Sequence, residues 1–358
     1  MARVLIVSIY YLDSHPAPPV LRVRAIKRYL RERGHDVRVF HSYEASSPSP
    51  RRNSLLRWVG WPDSHFPFVL KNTGKYRRII RRFQPDVIYI TAPPFSTLLL
   101  LPLSDRPALV EFRDVWSYDG ILKLYRTPIQ RWLTEKYEAF VLRRALRVIT
   151  LNENQRDYLM NKHNLPLTRF ATLPHFYTPM DSPECTATPS GYVRICYMGT
   201  VDWMKGLERV IPIMERFPLI SPIIRGRLKD MKIKGAQVLP PLPHREATEW
   251  ACRNCDVMWV SLNRFEGHHL ITSSKSISLL ALKKPILATI PMDNPMAGYF
   301  REIGGIYTAD IDDEREIEIA LKSIMEDYRR GKLQKPENPE IFRYDRVLKG
   351  LEELLEEI

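Results

Sequence analysis

Cysteine is scarce in the 358-residue sequence: Cys185, Cys196, Cys252 and Cys255 are too few for a disulfide scaffold and suggest a reducing compartment. Cys252 and Cys255 form CRNC, but no second pair stands at zinc spacing, and the segment reads as a helix ending before a strand at Asp256 to Ser261. No stretch approaches the roughly 20 apolar residues needed to cross a bilayer. The opening run from Val4 to Tyr11 also lacks the charged start and small-residue cleavage site of a signal peptide, and reads as a first buried strand. Acidic residues are outnumbered, 41 against 54 basic ones, for a net charge of +13, so an anionic partner is expected. Charge alone admits nucleotides, nucleic acid and acidic membranes. A composition of 44% hydrophobic and 27% charged residues is that of a globular protein long enough for two domains.

The chain alternates apolar β-branched runs with amphipathic stretches. A strand at Arg3 to Ile9, a helix from Pro19 to Arg33 stopped by Gly34, and a strand at His35 to Phe40 make the β-loop-α-β opening of a doubly wound sheet. Ligands bind such sheets at the carboxyl ends of their strands. Strands at Asp86 to Thr91, Ala108 to Phe112 and Arg147 to Leu151 continue the half, with a helix over Thr127 to Ala145 before the last of them and another running to His163 after it. Residues 173–190 are rich in Pro, Ser, Thr and Asp and read as a linker. The alternation resumes at Val193 to Met198 and runs through Ile286 to Thr289 and Gly305 to Ala309. The expected organisation is a first domain over 1–172, the linker, a second domain over 191–338, and one amphipathic terminal helix, Pro339 to Glu357.

Two stretches point to function. In SSKSISLLALKKPILAT, Ser273 to Thr289, two hydroxyls and a lysine open one short helix, which would offer free N–H groups and positive charge to an anion before Pro285 ends it. Between residues 46 and 82, Arg51, Arg52, Arg57, Lys71, Lys75, Arg77, Arg78, Arg81 and Arg82 are interleaved with Trp58, Trp61, Phe66 and Phe68. Arginines beside aromatics suit an anionic membrane interface, and Leu55 to Phe68 is read that way. The helix at 70–83 turns Val69, Tyr76, Ile79, Ile80 and Phe83 to the core. Nucleic acid is the weaker reading, because no DNA or RNA module accompanies the patch.

Several segments resemble retaining GT-B glycosyltransferases of family 4 in the right order: RVRAIKRYLRERGHDVRVF, PDVIYITAPPFST with VEFRDVWSYD, EAFVLRRALRVITLNENQRDYL, GTVDWMKGLERVI and SSKSISLLALKKPILA. The resemblance implies an α/β GT-B fold, two Rossmann-like domains facing a cleft, with the terminal helix returning to the first. It also implies a nucleoside diphosphate sugar as donor, no metal or other cofactor, and retention at the anomeric carbon. By resemblance Lys205 contacts the donor diphosphate, Arg113 and Asp114 flank the reaction, and Arg22 lies on the acceptor side. Gly199, Thr200, Arg225, Glu266, Ser274, Lys275 and Ser278 complete the implied donor site. The departures are Pro16, Pro18 and Pro19 in place of a glycine pair in the first loop, Arg113 in place of a histidine, Thr200 in place of an arginine, and Ser278 in place of a glutamate. An arginine does not act as a base at neutral pH, so Arg113 would bind phosphate, hold the acceptor or order its loop in an ion pair with Asp114. His268 and His269 read as loop histidines without metal partners.

The expected activity is glycosyl transfer to a lipid-linked or membrane-surface acceptor by a cytoplasmic protein held peripherally on the inner face of the membrane through residues 51–82. The alternatives are a catalytically weakened GT-B binding subunit, suggested by the three altered positions, a nucleic-acid-binding protein, or a nucleotide-sugar epimerase needing no acceptor.

Overall fold

The computed structural model describes residues 1–9, 18–41, 61–63, 65–118, 127–179, 185 and 190–358. Pro16 of the first loop and residues 51–60 of the basic and aromatic stretch lie outside the described residues. The chain divides into two compact units, Met1–Pro174 with Tyr344–Ile358, and His175–Arg343.

In the first unit the strands are β1 (Arg3–Val7), β2 (Asp36–Phe40), β3 (Val87–Ala92), β4 (Ala108–Phe112), β5 (Arg147–Thr150) and β6 (Phe170–Thr172). All pairings are parallel, in the order β2-β1-β3-β4-β5-β6, so the order reverses at β1. Parallel strands need crossovers, supplied by α1 (Pro18–Glu32), α2 (Phe66–Phe83), a 3-10 segment (Phe95–Leu103), α3 (Pro128–Arg144) and α4 (Glu153–His163). β3 and β4 are buried at every position, as strands covered on both faces must be.

One buried residue of β4 is charged. Glu111 is fully buried and lies 2.6 Å from the Arg22 guanidinium of α1, while Thr91 donates to its other oxygen at 2.6 Å. Burial pushes the Glu111 carboxyl up, but Arg22 and the hydrogen bonds override it and hold it below the ordinary carboxylate range. The same guanidinium donates to the carbonyls of Leu173 and Pro174, both at 3.1 Å, so one cation joins the first crossover helix, the central strand and the end of the unit.

The second unit repeats the plan with β7 (Val193–Met198), β8 (Ile220–Arg225), β9 (Gln237–Leu239), β10 (Val257–Ser261), β11 (Ile286–Thr289) and β12 (Tyr307–Ala309), ordered β12-β11-β10-β7-β8-β9. The reversal falls at β7. α5 (Leu207–Met214) and α9 (Glu314–Arg329) pack on one face of this sheet. α6 (His244–Asn254), α7 (Ser274–Ser278) and α8 (Pro295–Ile303) cover the other.

Several sequence expectations are corrected. The stretch after Ser273 is not one helix: α7 ends at Ser278 and a 3-10 turn, Leu279–Leu282, carries the chain to Lys283 in the left-handed region. The terminal helix is also broken. A 3-10 turn at Pro339–Phe342 is followed by extended Arg343, because the backbone there pairs with Tyr177, whose N–H donates to Phe342 O at 3.0 Å. α10 (Tyr344–Val347) and α11 (Lys349–Glu356) then rejoin the first unit, where Tyr29 of α1 donates to Glu352 at 2.8 Å. Cys185 and Cys252 are joined in a disulfide, and Cys196 and Cys255 are buried thiols. A sequence separation of 67 gave no sign of that pairing.

Trp61 is corrected as well. It stacks on Trp116 with ring centroids 5.9 Å apart, and its indole N–H donates to Thr134 at 2.9 Å, so this ring packs inside the first unit. Phe66 and Phe68 are half-buried at the start of α2.

Removing one member of a buried ion pair strands the other without water, at about 3–5 kcal/mol. Arg22→Ala is expected to lower the stability of the first unit by about that amount in urea unfolding. Adding Glu111→Leu should recover much of the loss.

Candidate functional site: a lysine pair at the end of β7

The residues just beyond β7 stand where the strand order of the second sheet reverses, the position from which doubly wound sheets bind ligands. β7 and β8 stay paired past their ends: Gly199 N donates to Arg225 O and Val201 N to Arg227 O, both at 2.8 Å. Glycine is needed twice, at Gly226 for the closeness of the backbones and at Gly199 for its positive φ. A Cβ on Gly226 would lie 1.8 Å from Gly199 O. One on Gly199, whose φ is +116°, would lie 1.9 Å from Lys275 Nζ.

Lys275 therefore rests its ammonium on the Gly199 backbone, 5.2 Å from the centroid of the Tyr197 ring. Its side chain is exposed yet crowded. Desolvation by the surrounding protein and then the charge of Lys205 lower its pKa to about 8, with Asp202 opposing.

Lys205 ends a 3-10 turn, Trp203–Lys205, that Asp202 caps by accepting from Met204 N at 3.2 Å. The Lys205 ammonium lies 3.8 Å from the same aspartate. The last residue of β10 and a residue beyond it hold the turn. Ser261 Oγ donates to Lys205 O at 2.7 Å, and Asn263 N to Met204 O at 2.7 Å. The result is two cations on a rigid backbone, with one aspartate to balance them. Such a place suits the oxygens of a phosphate or diphosphate.

The remaining implied donor residues divide. Thr200 is exposed, and its carbonyl accepts from the Tyr197 hydroxyl at 3.2 Å. Arg225 is joined to Gly199 through its backbone, but its guanidinium lies over the Trp250 ring at 4.5 Å. Ser278 donates its hydroxyl to Ser274 O at 2.8 Å, within α7. Glu266 is exposed in the loop after β10. His268 is buried rather than a free loop residue, with Nε2 3.0 Å from Asp293. Among the described residues, no three His, Cys, Asp or Glu side chains group as they would around a metal ion.

In the first unit the corresponding strand end is that of β4. Arg113 donates from Nε to the Thr91 hydroxyl at 3.1 Å and from Nη2 to the Pro93 carbonyl. Its own N–H donates to Ala92 O at 2.8 Å. Arg113 thus ties the ends of β3 and β4 together, and the ion pair expected with Asp114 does not form. Asp114 is part-buried, its carboxyl pushed up by burial against the pull of Arg113, and no described residue pairs with it.

Residues 19–175 match the family described as Glycosyl transferase 4-like domain. The whole chain superposes on solved structures of GT-B proteins. Sucrose-phosphate synthase from Thermosynechococcus elongatus is 13% identical over 100% of this chain and 99% of that one, with a TM-score of 0.70. HepE of Anabaena, solved in complex with UDP-glucose, is 11% identical over all of both chains, with a TM-score of 0.64. UDP-GlcNAc 2-epimerase from Neisseria meningitidis, bound to UDP-GlcNAc, is 11% identical over 99% of this chain and 100% of that one, with a TM-score of 0.50. These likenesses show the GT-B fold. No curated protein matches the sequence.

Within the first unit, Arg22 faces inward on Glu111 instead of presenting an open acceptor-side cation. Asp202, Tyr197 and Asn263 were missed by sequence reading. The run DWMKG after a strand does carry the signal of an aspartate cap for the lysine turn. Nothing local marks Tyr197 or Asn263.

Gly226→Ala is expected to destabilise the second unit by about 1–3 kcal/mol, because the atom in its way is a backbone carbonyl that has no rotamer to adopt. Thermal unfolding would read this as a lower Tm. Gly298→Ala, at a glycine of α8 with open space around it, is the matched control and should raise Tm slightly, because alanine is favoured over glycine inside a helix by about 0.5–1 kcal/mol.

Proposed function

We propose that this protein is a glycosyltransferase that takes a nucleoside diphosphate sugar and delivers the sugar to a lipid-linked acceptor at a membrane surface, with retention of anomeric configuration. The observation carrying the reading is the Lys205 and Lys275 pair at the end of β7, within a GT-B fold whose residues 19–175 match the Glycosyl transferase 4-like domain family. In empty protein each ammonium raises the energy of the other, and a diphosphate relieves both. HepE, in complex with UDP-glucose, is a nucleotide-sugar binder of the same fold.

The reaction breaks the bond between the anomeric carbon and the diphosphate oxygen, and the nucleoside diphosphate leaves with the electron pair. The acceptor hydroxyl forms the new bond and passes its proton to the departing phosphate. Lys205 and Lys275 stabilise the charge that develops on that leaving group. They supply positive charge from the chain itself, so transfer is proposed to be metal-independent. Asp114, at the end of β4, would accept a hydrogen bond from the acceptor hydroxyl, while Arg113 keeps that strand end in place. The exposed basic face of α2, with Lys71, Lys75, Arg77, Arg78, Arg81 and Arg82 and no acidic residue in the helix, supports an anionic membrane as the site of the acceptor.

Sugar transfer from a panel of labelled nucleotide sugars to membrane lipid extract tests the reading. Incorporation from one donor, retained in EDTA, is expected, with a fall of about 10²–10³ in Lys205→Ala. Nucleotide-sugar binding without incorporation would instead favour a binding subunit, the reading to which Thr200, Arg113 and Ser278 lend some weight. Conversion of the free sugar nucleotide without acceptor would favour an epimerase.

The lysine pair also sets a pH dependence. Lys275 has a pKa of about 8, and a diphosphate prefers its protonated form. Affinity for UDP is therefore greatest below pH 8 and falls as pH rises through that value. Calorimetric titration should show this decline, flattened in Lys275→Met.

A further inference from the structure

α3 is built inside out. Its inward face carries Gln130, Thr134 and Glu138, all buried, and its outward face carries Ile129, Trp132, Leu133 and Phe140 at 70%, 57%, 36% and 41% exposure. At 100° per residue these four fall in one stripe, and along the axis they span about 16 Å.

The inward polar groups are satisfied. Thr134 accepts from the Trp61 indole, and Glu138 accepts from Ser117 N at 2.9 Å and Ser117 Oγ at 2.6 Å, with His163 Nε2 at 2.7 Å. The register of α3 is thus pinned by specific bonds, and the outward apolar stripe is not the accident of a misplaced turn. Leaving it in water forfeits the stabilisation that burial of four large side chains normally brings.

We infer that the outward stripe of α3 is a membrane-docking face, inserting Ile129, Trp132, Leu133 and Phe140 at the interface of an anionic bilayer. It deepens, and rests on, the proposed membrane-surface acceptor. Charge chooses the occupant. Lys136 lies within the stripe and Arg143 and Arg144 extend it, while Glu135 at its side pairs with Lys162 at 3.3 Å. α2 lies in the same layer: it packs on the 3-10 segment Phe95–Leu103, to which Tyr137 of α3 also donates at Leu98 O, 3.4 Å away. Its outer face adds six more cations. A second copy of this chain would bring like charge against like. An anionic lipid surface offers apolar depth for the stripe and phosphates for its rim, and tryptophan favours that boundary.

The full-length chain is tested by co-sedimentation with phosphatidylcholine vesicles with and without phosphatidylglycerol. Binding is expected to the anionic vesicles, to weaken with salt, and to fall about tenfold or more in Trp132→Ser/Phe140→Ser. Lipids brominated on their acyl chains should quench wild-type tryptophan fluorescence, with much of that quenching lost in Trp132→Phe although this variant still binds.

Equal vesicle binding by the double variant would overturn the proposal, as would quenching unchanged by Trp132→Phe. So would a concentration-dependent dimer that the double variant abolishes, which would make a second copy the occupant. A lower Tm of the double variant with vesicle binding intact would mean that another segment of the chain covers the stripe. UDP binding, measured on the same samples, keeps the two readings apart. Vesicle binding without UDP binding leaves the docking face and removes the donor site, and the reverse result removes only the docking face.

Discussion

The second unit is organised around a contact that leaves no room for a side chain. Gly226 meets the carbonyl of Gly199, so the ends of β7 and β8 are stacked at van der Waals limits, and the ammonium of Lys275 reaches from α7 to rest on Gly199. Everything polar in the candidate site hangs from that stack. The 3-10 turn that presents Lys205 follows β7 and is anchored to the end of β10, and Asp202 serves both as its cap and as a partner for its lysine. A more loosely held loop would let the two ammonium groups drift apart. Held as they are, they repel one another, and the lowered pKa of Lys275 reflects desolvation first and that repulsion second.

The first unit solves a different problem with the same economy of cations. Its central strand carries a glutamate where an apolar residue would pack without cost, and Arg22 must stay beside it. Arg113 performs a similar duty at the strand ends, holding Thr91 and Pro93. Two arginines that stand at motif positions are therefore structural in their contacts, and the open polar group nearby is the Asp114 carboxylate.

Much of this fold was legible. Apolar β-branched runs such as ILAT at 286–289 became strands where expected, since a strand covered on both faces needs little more than that composition. Lys205 was legible because lysine and glycine follow a strand and open a helix. The contact of Lys275 with Gly199 was not, because it joins distant parts of the chain through the folded sheet. The bend at Arg343 was hidden for the same reason: its helical pattern is locally sound, and a backbone bond from Tyr177 overrides it. Trp61 shows the limit of composition. A ring among arginines reads as interfacial, and only its hydrogen bond to Thr134 reveals that it packs within the unit.

The excess of positive charge is not evenly used, and its distribution carries more information than its sum. Arg22, Arg194 and Arg264 are neutralised by Glu111, by Asp256, and by Asp293 with Asp310, and these pairs say little about a partner. What remains concentrated is the lysine pair after β7 and the basic outer face of α2. The first is small, rigid and crowded, the setting in which a compact dianion gains most from fixed cations. The second is broad and solvated, so each of its charges is weak alone and screened by salt, and only their sum sets up an appreciable field. One net charge thus resolves into two concentrations of cations of different range, a compact pair in the second unit and a broad basic face on the first.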